Sequence, residues 1–208
     1  MAGGPLDTEG LVTLLDHQGR RQSDERFDDL ASRLAPSDLR DMYRAMVVTR
    51  SFDDAAMALQ RQGELGLWVQ SLGQEGIQAG SGKALRASDY VFPSYREHVV
   101  AYQRGLDLPQ MLRLFRGLEH GPWDPSEIGF HLYTLVIGAH TLHATGYAMG
   151  MDRDGRVGSG TEDDGAVICY LGDGATSQGD FNEALTFAAV TNAPIVFLIQ
   201  NNQWAISE

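Results

Sequence analysis

The chain has 208 residues, 43% of them hydrophobic, which is enough to bury a substantial core in one domain or slightly more. Its formal net charge of −12 works against general binding of nucleic acid or of an anionic membrane surface, so an anionic ligand would have to be met by local groups. The single cysteine, Cys169, rules out an intrachain disulfide and fits a reducing compartment. No apolar run approaches the roughly 20 residues of a membrane span, and the opening MAGGPLDTEG has no basic region leading into an apolar core. A cytoplasmic protein without a signal peptide is expected.

Residues 1–36 mix Gly, Pro, Asp and Arg around one apolar patch, Leu11 to Leu15, and read as an extended N-terminal arm. The remainder, 37–208, reads as the main domain. Ser37 is placed to cap a long helix reaching about Gln62, with Leu39, Met42, Met46, Phe52 and Leu59 on its apolar side. Arg50 and Asp54 read as a solvated pair on that helix. Leu67 to Leu72 suggests a short strand or loop, and Gly73 to Leu85 a small-residue helix whose early Glu75 is explained by the helix dipole. Leu108 to Arg116 is amphipathic, and 117–129 is a loop rich in Gly, Pro and Asp. From Gly138 the small residues Ala139, Ala144, Gly146, Ala148 and Gly150 predict a closely packed helix. His140 and His143 share one face of it, with His131 and His120 upstream. A zinc site would want an adjacent glutamate or cysteine at a recognised spacing, so satisfied helix histidines are the better reading. An acidic, glycine-rich surface loop follows from Asp152 to Gly165.

The last quarter carries the chemistry. Ala166 to Leu171 reads as a strand that meets the turn Gly172-Asp173-Gly174, and a helix follows from Asp180 to Val190. Asp180 or Ser177 can cap it, with Glu183 placed for a capping box. Asn192-Ala193-Pro194 stops this helix before a second strand, Ile195 to Ile199, which ends in Gln200-Asn201-Asn202-Gln203. A crossover of this length makes the strands parallel and buried on both faces. Asp173 and Asn202, 29 positions apart, then lie just beyond the carboxyl ends of the strands, where open α/β sheets bind ligands. Their hard oxygens suit magnesium, and the adjacent helix N-terminus suits a diphosphate. A Walker loop is excluded because Asp180 and Phe181, not Lys and Ser or Thr, follow Gly179. A dinucleotide fingerprint is disfavoured because Asp173 would set a carboxylate against the pyrophosphate. In Ser94-Tyr95-Arg96-Glu97-His98, the arginine can hold phosphate bidentately and the tyrosine can add a donor.

Gly172-Asp173-Gly174 with Asn201-Asn202 resembles the thiamine diphosphate motif. Together with GDGATSQGDFNEAL, QNNQWAISE and FPSYREH, the stretch from about Ser37 to Glu208 resembles the alpha subunit of the first component of 2-oxo acid dehydrogenase complexes. The resemblance implies a parallel-sheet, thiamine diphosphate-binding α/β fold with a helical N-terminal region. It implies Asp173, the Asn202 amide and the Trp204 backbone carbonyl as magnesium ligands. It further implies Tyr95, Arg96, Gly174 and Ala175 at the diphosphate, the backbone of Leu135 and Ile137 at the pyrimidine, and His131 as an active-site residue. Family members carry Met-His where this chain has Phe130-His131, and branched-chain relatives can have arginine at the position of Gln200. The implied activity is oxidative decarboxylation of a 2-oxo acid, pyruvate or branched-chain, with acyl transfer to a lipoyl-bearing acyltransferase component. It requires a beta subunit, which in this family supplies the glutamate that Glu75 would otherwise suggest. Family alpha subunits continue beyond the position of Glu208, so a C-terminally truncated or split subunit is expected. Two other readings stay open: a non-catalytic cofactor-binding or assembly fragment, and another enzyme of the transketolase type.

Overall fold

β-Branched and aromatic residues concentrate in three runs that form the strands β1 (Tyr90–Phe92), β2 (Val167–Gly172) and β3 (Ile195–Gln200). They are seen in a computed structural model that describes residues 12–205. The strands pair in the order β1-β2-β3, all parallel, with Tyr90 opposite Val167 and Val167 opposite Ile195. Parallel neighbours require crossovers. Those between β1 and β2 are α4 (His98–Gln103), α5 (Leu108–Phe115), α6 (Pro125–Ile128) and α7 (His140–Arg153). A single 3₁₀ turn, Asp173–Ser177, and α8 (Gly179–Thr191) join β2 to β3. The α/β class and the β-α-β unit are as expected, while β1 is a strand that the sequence reading did not assign.

The chain divides into units 1–41 and 42–208. In the first, the Asp16 carboxylate accepts the Gln18 and Arg20 N–H groups at 2.8 Å each, closing a turn that brings Leu15 antiparallel to Arg21. The helix α1 (Asp28–Ser32) follows, so this segment is not simply extended. Leu11, the start of the apolar patch, lies outside the described residues. The division falls within α2 (Pro36–Arg61). Pro36, not a Ser37 cap, opens that helix, because a missing N–H costs nothing in the first turn. The Asp38 carboxylate accepts the Ala35 N–H at 2.9 Å.

In the second unit the strand period sorts side chains to two faces. Val91, Ile168 and Tyr170 pack with Trp68, Met111 and Phe130, whereas Tyr90, Phe92, Val167 and Cys169 pack with Ala144, Ala148 and Met151 of α7. The small residues of α7 allow this approach. Burial pushes the Cys169 thiol well up, which leaves it inert core. β2 is covered on both faces, but β3 is not: Val196 is 57% and Ile199 41% exposed. β3 is also the edge strand, with one neighbour among the described residues.

Two helix details also differ from expectation. α8 starts at Gly179 after Gln178, with no side-chain cap, because the 3₁₀ turn takes up Ser177 and leaves Asp180 inside the helix. Arg50 pairs with Glu75, at the start of α3 (Glu75–Ala84), and not with Asp54. Glu75 is 4% exposed, so its charge is less screened than that of Asp54 on the solvent face.

A Cβ at Gly165 would collide with the Ser88 carbonyl oxygen and come within 2.8 Å of Met151 Cε. Gly165→Ala should therefore lower unfolding stability in denaturant by about 2 to 3 kcal/mol; an unchanged midpoint would refute this close approach. His98 is fully buried, stacked on Trp68, and burial lowers its pKa from 6.5 to about 4. The unfolded chain then takes up a proton before the folded one does. Stability should fall as pH drops from 6.5 through 4, by roughly 3 kcal/mol when complete. The lowered pKa values of His131 and His140 act in the same direction. The raised pKa of Glu97 acts oppositely, since its contribution favours low pH and is lost as pH rises. Urea unfolding across this range should show a shallower pH slope in His98→Gln, and an identical slope would count against the histidine's role.

Candidate functional site

At the carboxyl ends of β2 and β3 the chain leaves the sheet in two loops, and a cavity of about 350 Å³ opens between them. Asp173, Gly174 and Ala175 line it from the 3₁₀ turn after β2, and Asn202 and Trp204 from the segment after β3. Tyr95 and Arg96 line it from the loop after β1, and Ile137 from the segment before α7. Thus eight of the residues singled out in the sequence meet at one cavity, from four separated segments. Leu135 and His131 do not line it: Leu135 is 50% exposed, and His131 packs against Phe92 with ring centroids 4.6 Å apart.

The backbone keeps the cavity open. A Cβ on Gly174 would come 3.0 Å from the Ala205 methyl, and one on Gly138 would come 3.1 Å from Gln178 Cγ. Gly138 also has φ +84°, which a side chain would strain. The segment after β3 is folded by its own asparagines: Asn201 Oδ1 accepts the Gln203 N–H at 3.0 Å, and Asn202 Oδ1 accepts the Trp204 N–H at 2.9 Å. Each amide oxygen retains a second lone pair. Among the described residues, no side chain pairs with the half-buried Asp173 carboxylate. Arg96 is the one full positive charge among the described residues lining the cavity.

Arg96 is held from behind. Its Nη1 donates to the Gln70 carbonyl at 3.3 Å, and its own carbonyl accepts from Gln78 Nε2 at 2.9 Å. The loop containing Gln70 is anchored by buried Asp53, which accepts from Trp68 Nε1 at 3.0 Å and from Ser71 N and Oγ at 2.9 Å each. His98 Nε2 bonds the Val69 carbonyl at 2.9 Å and Nδ1 meets the Tyr133 hydroxyl at 2.9 Å, so His98 is a core residue. Burial raises the Asp53 pKa, with the Ser71 and Trp68 bonds opposing it.

Sequence reasoning missed the roles of three residues here. Glu97 is fully buried; its Oε2 accepts from Ser94 N at 2.7 Å and Ser94 Oγ at 2.9 Å, and its Oε1 accepts from Gln200 Nε2 at 2.8 Å. Burial holds its carboxyl above the usual carboxylate range, against the Ser94 and Gln200 bonds. Gln200 lines the cavity, and its Oε1 is buried without a partner. His140, read as a satisfied helix histidine, is satisfied on one side only. Its Nε2 donates to the Tyr170 carbonyl at 2.7 Å, while its Nδ1 has no partner and its ring lines the cavity. Burial lowers its pKa, so the ring is neutral near pH 7. His143 lies on the solvent side of α7. The adjacency of Glu97 to Arg96 and of Gln200 to Asn201-Asn202 was the available signal.

Hard oxygens on one side, a guanidinium on another and a wall without side chains between them suit a metal-bridged anion of moderate size. The dehydrogenase E1 component family model matches residues 43–208. The chain is 44% identical over 169 residues to the 3-methyl-2-oxobutanoate dehydrogenase subunit alpha of Mycobacterium tuberculosis, covering 81% of this chain and 44% of that protein. It is 35% identical over 197 residues to the pyruvate dehydrogenase E1 component subunit alpha of Staphylococcus aureus, covering 95% and 50%. A Bacillus cereus protein of the same description is 37% identical over 174 residues, covering 84% and 45%. The chain spans about half the length of these curated relatives.

Proposed function

This chain belongs to the dehydrogenase E1 component family, and from that premise we propose that its cavity holds thiamine diphosphate through magnesium, within the alpha subunit of a 2-oxo acid dehydrogenase. The observation that carries the reading is the meeting of Asp173 and Asn202 with Arg96 at one cavity whose wall is opened by Gly138 and Gly174. The Asp173 carboxylate, the Asn202 amide oxygen and the Trp204 carbonyl would supply the magnesium ligands. Tyr95 and Arg96 would meet the phosphate oxygens, with backbone groups of Gly174 and Ala175 opposite. Leu135 and Ile137 would offer backbone to the pyrimidine end. When bound, the cofactor supplies the electron sink for decarboxylation of a 2-oxo acid. The chain's own part is to bind, orient and screen it from water. His131, packed on Phe92, would act at the margin of the site.

In this reading residues 1–36 form an arm and 37–208 the cofactor-binding domain. The activity is oxidative decarboxylation of pyruvate or a branched-chain 2-oxo acid with transfer to lipoyl-lysine of an acyltransferase component. A beta subunit completes the site, and the protein works in the cytoplasm as part of a heterotetramer. Among the described residues no helix is long and apolar enough to cross a membrane. The test is to mix the chain with the beta subunit of a relative, thiamine diphosphate and magnesium, and to follow carbon dioxide release from pyruvate and from 3-methyl-2-oxobutanoate. Release from either that depends on both the chain and the cofactor supports the proposal. Release unaffected by omitting the chain refutes it.

A further inference from the structure

Two segments far apart in sequence supply Arg96 and two of the three proposed magnesium ligands, Asn202 and Trp204, and one buried carboxylate joins them. Glu97 Oε2 gathers the Ser94 N–H and hydroxyl, which shapes the loop that presents Tyr95 and Arg96. Its Oε1 receives the amide of Gln200, 103 positions away, the last residue of β3 and the one that leads into Asn201-Asn202. Glu97 is fully buried and Gln200 is 6% exposed, so this bond is shielded from water and from salt. Burying a carboxylate is costly, and here it gains only neutral donors rather than an ion pair. A leucine pair would fill the same space more cheaply, but it would not fix the distance between the two loops.

We propose that Glu97 is the positioning residue of the site, acting through Gln200 to hold the Tyr95-Arg96 loop and the Asn202 loop at the separation that a metal-bridged diphosphate requires. The proposal rests on the functional reading given above. Gln200 shows why an amide suits this role. One end of it is bonded to Glu97, and its Oε1 has no partner, so rotating the amide by half a turn sacrifices no other bond. In Glu97→Gln the new amide oxygen would still accept from Ser94, and its nitrogen would donate to the rotated Gln200 Oε1. The tie therefore survives that substitution. It is cut by Gln200→Leu, which leaves the Ser94 bonds to Glu97 in place, and by Glu97→Ala, which removes both halves.

The test measures thiamine diphosphate affinity in the presence of magnesium for the chain mixed with the beta subunit of a relative, at a temperature where circular dichroism shows every variant folded. Glu97→Gln should bind within about threefold of the unsubstituted chain, whereas Gln200→Leu should bind at least tenfold more weakly. A merely structural tie would lower the melting temperature of Gln200→Leu and leave its affinity unchanged, and that result overturns the proposal. So does an affinity in Glu97→Gln as weak as in Gln200→Leu. Glu97→Ala, if it folds, should match Gln200→Leu. Should the unsubstituted chain take up no cofactor in the mixture, the functional reading itself fails and the proposal falls with it, an outcome separable from the others because it precedes any substitution.

Discussion

Asp173→Ala is expected to weaken magnesium-dependent thiamine diphosphate binding by at least about 100-fold while leaving the fold intact. Residues that only orient metal ligands typically account for 10- to 100-fold in affinity, so loss of a direct ligand, the role proposed for Asp173, should reach the upper end of that range or exceed it. The fold should survive because, among the described residues, nothing pairs with the Asp173 carboxylate. The bond that shapes its turn runs from Thr176 Oγ1 to the Asp173 backbone carbonyl at 2.6 Å and does not need the side chain. Unfolding free energy should stay within about 0.5 kcal/mol of the parent chain, because no side-chain partner among the described residues is lost with this half-buried carboxylate. Equal cofactor affinity in the variant would remove Asp173 from the site.

The second large effect lies behind the cavity. Asp53→Ala should lower stability by about 3 kcal/mol, because the Trp68 indole N–H and the Ser71 N–H are left buried without an acceptor. It should also reach the site. Ser71 neighbours Gln70, whose carbonyl receives the Arg96 guanidinium, so a loosened loop would free Arg96 and weaken anion binding. Denaturant unfolding of Asp53→Ala and Asp54→Ala separates the two neighbouring acids. Asp54 is exposed on α2, and its replacement should change stability little. Equal losses in both variants would contradict the anchoring role of Asp53.

These two acids show where the sequence was legible. Asp173 stands between glycines after an apolar run, and its spacing from Asn202 across a helical pattern identifies the β-α-β unit and its carboxyl edge from local physics alone. The apolar runs of β2 and β3 and the small residues of α7 were visible in the same way. Asp53 and Glu97 were not, because their roles depend on Trp68, 15 positions from Asp53, and on Gln200, 103 positions from Glu97, and no local pattern distinguishes a buried acid from its exposed neighbour. Arg50 illustrates the same limit. Its helical neighbour Asp54 is the natural partner in an isolated helix, but tertiary structure offers it the shielded carboxylate of Glu75. β1 was missed because only three residues, Tyr90 to Phe92, form it, too few for an alternation to register. The exposure of β3 and the 3₁₀ turn before α8 likewise depend on what packs nearby.

The central claim is that this cavity binds thiamine diphosphate through magnesium, and calorimetric titration tests it most directly. The chain would be titrated with thiamine diphosphate in magnesium and in chelator, alone and after mixing with the beta subunit of a relative. The account predicts saturable binding in the mixture that disappears when magnesium is removed. Absence of binding in every condition, or binding of equal strength in chelator, would contradict it.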